Sequence, residues 1–388
     1  MPANIVLTGS SGNLGTYLLN DLVASSHVDR IWCLNRSQDA GERQYDLLRE
    51  RGLSASVPET VKFHKYDVAS RRLGLEPSVY QDITENATHI LHAAWPVDWN
   101  KSFSSFESSI RGVSNLIECC ANSKHSPTLY FVSSVAAAGN WGAVPGSRQS
   151  VPEDEIDDWK VARLGYGQSK LVAERLLAEA SRAKGVTTAI CRVGQVAGPV
   201  EHGTAGSWPR QEWFPSLIAS SAYLGVLPDS LGPAENIDWT PVDQVSSIVV
   251  QLLFSDQKAG TAVFHHITNP SSTEWRRIVP GVKAALEQHG ANGGKSEPAK
   301  TIRLTGLVEW VEALEESARD ESADISGNPA VKLLSFFQNL KDKSIHLPKA
   351  RAATLEVKRT RLRSSKMQEL DCVNQEWISL WMKQWDAK

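Results

Sequence analysis

The sequence predicts an α/β protein: a doubly wound, seven-stranded parallel sheet followed by a smaller, mainly helical C-terminal domain. Three observations lead there. At the N-terminus a short apolar strand runs into a glycine-rich loop and then a helix. Six further apolar strand segments alternate with helical patterns up to about residue 270. From Ser271 onward the apolar spacing is helical.

The first strand is Asn4-Ile5-Val6-Leu7, followed by Thr8-Gly9-Ser10-Ser11-Gly12-Asn13-Leu14-Gly15 and a helix through Tyr17, Leu18, Leu19, Leu22 and Val23. Strand, glycine loop and helix in this order form a dinucleotide fingerprint. The leading glycines permit a tight turn and Gly12 lets the backbone approach a pyrophosphate. Gly15 allows close helix–strand packing, and the helix N-terminus faces the phosphates. Thr8, Gly9, Ser11, Gly12, Asn13, Leu14 and Gly15 are therefore candidate cofactor residues.

The second strand, 30–34, ends in Asn35-Arg36. An NAD site usually carries a carboxylate here for the ribose hydroxyls. Arg36, with Arg43 beyond it, instead suits a phosphate through bidentate hydrogen bonds, so NADPH is the expected cofactor. The alternative is two solvated surface charges. The third strand, 61–66, leads into Asp67-Val68, a carboxylate placed for the adenine amino group. The fourth, 88–94, ends in Ala93-Ala94, small enough to pass beneath the cofactor. Trp95-Pro96-Val97-Asp98-Trp99-Asn100 then forms an aromatic loop at the carboxyl edge, where ligands of open parallel sheets bind. Trp95, Pro96 and Val97 are read as a substrate-pocket wall, with a packing corner as the alternative.

A helix over about 103–121 leads to the fifth strand, 129–132, and then Ser133-Ser134. These serines are either turn formers or hydroxyls that reach the same carbonyl as Tyr166. That tyrosine lies in Gly165-Tyr166-Gly167-Gln168-Ser169-Lys170, which opens the next helix. Residues four apart share a helix face, so Tyr166 and Lys170 project side by side. A phenol titrates near about 10. A neighbouring ammonium is expected to lower that value and fit the tyrosine for acid–base work; an ordinary amphipathic helix is the plainer alternative. After the sixth strand, 187–193, Gly194-Gln195-Val196-Ala197-Gly198-Pro199 carries the chain over the cofactor. Val193 and Val196 join the cofactor residues, and Gln195 the substrate residues.

Residues 201–236, punctuated by Gly, Pro and Trp around a short helix, look like a cap over the cleft. The seventh strand is 262–267. Its adjacent His265 and His266 point to opposite faces, which rules out a joint metal site, and no metal is expected. The expected domains are 1–270, binding nucleotide, with a cap insertion at about 200–240, and 271–388, mainly helical, binding substrate or carrier. A break at 290–298, an acidic stretch at 312–324 and a basic run at 358–366 are read as a connector and solvated faces. The basic run is also a candidate dock for an acidic partner.

A net charge of −3 leaves no nucleic-acid or membrane-surface footprint. No apolar run approaches the roughly 18 residues that span a bilayer. The cysteines are odd in number and fall mostly in apolar patterns, so they read as reduced core residues rather than a disulfide or zinc framework. The N-terminus runs into a strand without a basic leader, and a cytoplasmic location is expected. Tryptophans lie mostly beyond residue 90, which suggests a broad apolar surface for a substrate or partner.

Thr8-Gly9-x-x-Gly12-x-x-Gly15, Ser134 and Tyr166-x-x-x-Lys170 together resemble the extended short-chain dehydrogenase/reductase superfamily and its Rossmann fold, over most of the first 270 residues. More narrowly, Trp32-Cys33-Leu34-Asn35-Arg36, Ala94-Trp95-Pro96-Val97-Asp98, residues 132–141, residues 165–170 and Arg192-Val193-Gly194-Gln195 are similar to one subfamily. It comprises the terminal thioester reductase domains of fungal non-ribosomal-peptide-synthetase-like enzymes and polyketide synthases, akin to carboxylic acid reductases. The resemblance implies NADPH-dependent release of an acyl chain as an aldehyde, with reduction on to the alcohol left open. The chain would come from the phosphopantetheine arm of an acyl or peptidyl carrier domain of the same megasynthase. It also implies a catalytic Ser134, Tyr166 and Lys170, with Ser133, Tyr166 and Lys170 touching the cofactor and Ser134 the substrate. One departure stands out: extended members often carry Asn three residues before the glycine that is Gly112 here, and this chain has Ser109. Other readings are a reductase of a free aldehyde, ketone or CoA ester, and a non-catalytic NADP-binding sensor, which has no need of the Tyr–Lys pair. With the first strand at residue 4 and no adenylation or carrier module before it, the expectation is a domain excised from a megasynthase or a free-standing relative.

Overall fold

All seven expected strands form in the computed structural model, which describes residues 2–54, 56–144, 146, 149–206, 208–292, 301–319, 327–346 and 353–386. The strands are β1 (Ala3–Thr8), β2 (Val28–Asn35), β3 (Val61–Lys65), β4 (His89–His92), β5 (Thr128–Ser134), β6 (Thr188–Val193) and β7 (Ala262–Ile267). They make one sheet in the order β3-β2-β1-β4-β5-β6-β7, every neighbouring pair parallel. The helices up to residue 253 are α1 (Asn13–Ala24), α2 (Ala40–Glu50), α3 (Pro77–Asn86), α4 (Glu107–Ala121), α5 (Gly165–Lys184), α6 (Trp213–Leu224) and α7 (Val242–Leu253).

The chain divides into two units. The first comprises Met1–Val196, Thr240–Pro270 and Ala353–Leu370 and contains the whole sheet. Alternate strand residues face opposite sides, so Val6, Ile90 and Phe131 pack with Ile83, Leu116 and Leu177 of α3, α4 and α5. Ile5, Leu7, Leu91 and Tyr130 pack on the other side with Leu18 and Leu22 of α1 and Val245 and Leu252 of α7. Strand order reverses between β1 and β4, the switch point at whose carboxyl edge such sheets open a crevice.

The second unit comprises Ala197–Trp239, Ser271–Ala352 and Asp371–Lys388. It contains α6, α8 (Trp275–Asn292), α9 (Leu307–Arg319), α10 (Leu334–His346) and α13 (Gln375–Asp386); α11 (Lys358–Arg363) and α12 (Ser365–Gln368) belong to the first unit. Its core is aromatic. Trp208, Trp239, Trp275, Trp310 and Trp381 are buried, with ring centroids 5.1 Å apart for Trp208 and Trp381 and 4.6 Å for Phe214 and Trp239. Buried indoles need partners for their N–H groups; Trp275 donates to the Pro228 carbonyl and Trp310 to the Ser221 hydroxyl. These tryptophans, expected to form a surface, are therefore core.

The expected division at residue 270 differs in two places. The cap insertion expected at about 200–240 falls in residues 197–239, which share the second unit's core through Trp208 and Trp239. Residues 353–370, expected in the helical domain, return to the first unit and line its edge strand β7. Thr354–Leu355 pairs in parallel with Ser150–Val151. Thr360 is buried; its hydroxyl accepts from the His266 amide at 3.1 Å and donates to the Glu153 carboxylate. Covering an edge in this way satisfies backbone groups that would otherwise invite pairing with another chain. The basic run 358–366 is thus one-sided rather than a solvated face: Lys358 and Arg361 are exposed, while Arg359 bonds the Glu153 and Phe264 carbonyls. Most of the break at 290–298 and the end of the acidic stretch, 320–324, lie outside the described residues. Cys33, Cys119, Cys120 and Cys191 are buried free thiols and Cys372 is a half-buried one. Among the described residues no helix is long and apolar enough to cross a membrane.

Burial holds the imidazoles of His92, His265 and His266 at about 3, against an ordinary 6.5. A depressed folded-state value means that the unfolded chain binds protons first. Stability is therefore complete above about pH 6.5 and falls as pH drops toward 3, by about 1.4 kcal/mol per pH unit for each histidine. Urea midpoints measured from pH 8 down to 5 should stay level and then decline; a midpoint that rises on acidification would contradict the burial of these rings.

Candidate active site

The glycine loop is held by close backbone contacts. Gly9 has φ +77°, and a Cβ there would stand 2.9 Å from the Ala94 backbone. At Gly15 a Cβ would stand 1.9 Å from the Gly9 carbonyl oxygen, so only hydrogen fits. Gly12 caps α1 with no side-chain bond, which leaves the first-turn amides uncapped, as an anion-binding helix N-terminus requires. Ser11, Asn13 and Leu14 are half-buried beside it. These features fit a dinucleotide pyrophosphate.

Asn35, expected among the cofactor residues, is buried. Its amide donates to Ser10 Oγ at 2.9 Å and accepts from Ser11 Oγ at 3.3 Å, so it anchors the loop. Arg51, absent from the sequence expectations, donates to the Gly12 carbonyl at 3.2 Å and lies 5.8 Å from the Tyr17 ring centroid. Arg36 and Arg43 are exposed past the end of β2 and on α2. Asp67 accepts from the Ala69 amide at 3.1 Å and from Ser70 Oγ at 2.5 Å. Val68 lies against Gly112. Thr8 accepts from the Ala94 amide at 3.2 Å, which ties β1 to the half-buried Ala93-Ala94 turn.

Ser134 closes β5 in register with Val193 of β6. Its hydroxyl accepts from the Ala136 amide at 3.2 Å and lies near enough to the Tyr166 phenol to draw its pKa down. Tyr166, in the first turn of α5, is buried under Trp99 and Phe106, with ring centroids at 4.8 and 6.2 Å. Burial pushes its phenol up to about 12, an effect the Ser134 hydroxyl only partly offsets. The expected depression by Lys170 does not occur. Lys170 Nζ donates to the Val132 carbonyl at 2.6 Å and sits 4.4, 4.5 and 5.9 Å from the ring centroids of Trp95, Phe131 and Tyr166. Burial holds this lysine well below its ordinary value, against the attraction of Glu174. At neutral pH the phenol is a protonated donor.

Other expected site residues point elsewhere. Ser133 turns its hydroxyl away from Ser134's side of the strand and donates to Glu174 at 2.5 Å. Trp95 is a packing and supporting group: its ring is stacked on Phe106 and edge-on to Phe131, its N–H donates to Ser169 at 3.3 Å, and it underlies Lys170. Pro96 is half-buried and Val97 exposed. Gln195 and Val196 are half-buried, the Gln195 amide donating to the Val196 carbonyl at 2.9 Å and its carbonyl accepting from Thr240. Ser109 is buried on α4. Trp99, part of the expected aromatic loop but not of the substrate residues named from it, is exposed and reaches Tyr166.

Two hydroxyl donors thus meet beside a loop shaped for a pyrophosphate, on the carboxyl edge of a doubly wound sheet. That combination defines an NAD(P)-binding oxidoreductase. The chain belongs to the NAD-binding family described as "Male sterility protein", whose model matches residues 7–249. It is 36% identical to a carboxylic acid reductase of Neurospora crassa, over 98% of this chain and 35% of that protein. It is 31% identical to a 3-methylorcinaldehyde synthase of Talaromyces stipitatus, over 86% of this chain and 12% of that protein. The chain spans about a third, or less, of the length of these curated relatives. Among solved structures, the terminal R domain of the myxalamid PKS-NRPS pathway superposes with a TM-score of 0.76 at 24% identity, over 98% of this chain and 90% of that one; at that identity it speaks for the fold.

Gly15→Ala should weaken binding of the nicotinamide dinucleotide by at least about tenfold, because the added methyl pushes the α1 N-terminus off the loop. Quenching of tryptophan fluorescence on titration with NADPH would measure it, and an unchanged affinity would contradict the contact with Gly9.

Proposed function

We propose that the chain is a thioester reductase that releases an acyl chain from the phosphopantetheine arm of a carrier domain as an aldehyde, with NADPH as reductant. The observation that carries the reading is the Ser134–Tyr166 hydroxyl pair, with Tyr166 held protonated at about 12. Arg36 and Arg43 support NADPH over NADH: both are exposed and neither forms an ion pair among the described residues. The carboxylic acid reductase, the aldehyde synthase and the terminal R domain support the substrate class.

When bound, NADPH supplies the hydride that reaches the thioester carbonyl carbon. Ser134 and Tyr166 donate to the carbonyl oxygen as charge develops there, and the Tyr166 proton converts it to the hydroxyl of a hemithioacetal. Collapse breaks the C–S bond, and that proton ends on the departing pantetheine thiol. Lys170 lies against the rings of Trp95 and Phe131, its Nζ held by the Val132 carbonyl.

One aligned donor to such an oxyanion is worth roughly 3–4 kcal/mol, so Tyr166→Phe should lose about two to three decades of kcat with little change in NADPH affinity. Loss of NADPH absorbance with an acyl-pantetheine and an acyl-loaded carrier protein, followed by product identification, tests this. Aldehyde formed preferentially from the carrier form supports the reading, and turnover of free carbonyl compounds alone overturns it. Arg36→Ala should raise the KM for NADPH by about tenfold and leave that for NADH unchanged; equal effects on the two would remove the basis for preferring NADPH.

A further inference from the structure

We propose that Glu174 is a positioning residue for the Tyr166–Lys170 pair: anchored by Arg192 and Ser133, its carboxylate supplies the counter-charge that holds the buried Lys170 ammonium in place. The kinetic consequence rests on the reductase reading above; the geometry does not.

Tyr166, Lys170 and Glu174 recur every four residues on α5, so they share a face, and all three are buried. An ammonium has three N–H groups. Lys170 directs one to the Val132 carbonyl and rests on the faces of Trp95 and Phe131. Carbonyl and rings carry no formal charge, and a buried cation needs an anion or it loses its proton. Glu174, one turn further on, is the anion that acts on it. The other titratable groups facing Lys170 are Tyr166, protonated up to about 12, and His92 on β4, neutral down to about 3.

Glu174 is itself fixed from three strands. Arg192 of β6 grips both carboxylate oxygens, Nε at 3.1–3.2 Å and Nη2 at 2.8 Å, and Ser133 of β5 donates to Oε1 at 2.5 Å. The third strand, β7, acts through His266. Its Nδ1 lies 2.7 Å from the Glu356 carbonyl, which can only accept, so Nδ1 carries the proton. Nε2 is then the acceptor for Arg192 Nη1 at 3.1 Å. A chain of bonds therefore runs from the 353–370 segment through His266 and Arg192 to Glu174, a turn away from Lys170.

Glu174→Gln keeps the side chain's shape and removes its charge, and Glu174→Asp keeps the charge. In E174Q, kcat/KM for thioester reduction is expected to fall at least about tenfold, and the high-pH limb of its profile to move down by about one pH unit or more, with E174D recovering most of both. A lower Tm with an unmoved limb would make the pair merely structural and overturn the proposal. Should E174Q leave Arg192 unpaired and fail to fold, the double variant E174Q/R192M removes both charges. It should regain folding but not the limb, and recovery of the limb overturns the proposal. If the wild type reduces no thioester, the functional reading fails, and 19F NMR of 5-fluorotryptophan-labelled protein decides on the positioning alone. The Trp95 resonance, assigned with W95F, senses the Lys170 charge. It should titrate at lower pH in E174Q than in the wild type, and coincident titrations overturn the inference.

Discussion

A fully buried ion pair, Arg192 to Glu174 at 2.8 Å, fastens the helix that carries Tyr166 and Lys170 to the middle of the sheet. Removing two charges from water costs several kcal/mol per ion, and the attraction between them offsets this only when the remaining hydrogen-bonding capacity is met. Here it is met on both sides. The Ser133 hydroxyl completes the carboxylate, while His266, the Pro152 carbonyl and the face of Phe264 complete the guanidinium. One arrangement of α5 against β5, β6 and β7 satisfies all of these groups together. The tyrosine and lysine are thus placed by rigid elements, which holds their geometry more closely than a loop would.

The electrostatics of the site suit the direction of the proposed reaction. A tyrosine that must give a proton to a carbonyl oxygen works best as a neutral phenol, and burial beneath Trp99 and Phe106 keeps it so. The lysine in the same pocket is pulled the other way: burial favours its uncharged form and Glu174 its cation. One low-dielectric pocket therefore keeps the proton on the donor while making the neighbouring cation dependent on a single carboxylate.

Much of this was legible in the sequence. Strands of a parallel sheet are buried on both faces, so Ile5-Val6-Leu7 and Ala189-Ile190-Cys191 stand out as apolar runs. The loop was legible because its spacing is a steric code: Gly9 and Gly15 sit where a Cβ collides with backbone. What spacing along one helix cannot give is burial. It put Lys170 next to Tyr166 correctly but missed that both lie in an interior where desolvation outweighs their mutual effect. Spacing gives Glu174 no distinction, because the groups that enclose it come from three strands distant in sequence. Asn35 is expected among the cofactor residues, yet its amide is engaged by Ser10 and Ser11. Composition located the tryptophans beyond residue 90 but not the side of the surface on which they fall.

The nucleotide-binding unit is discontinuous: three stretches of chain build it, and the last, 353–370, is flanked on both sides by residues of the second unit. No single cut separates one fold from the other. Ending the chain before residue 353 would strip the cover from β7 and leave the His266 amide and the Glu153 carboxylate without Thr360. Recombination that exchanged one unit for a homologous counterpart would have to carry the insertions with it. A lineage that varied its second unit would therefore do so by substitution in place more readily than by grafting.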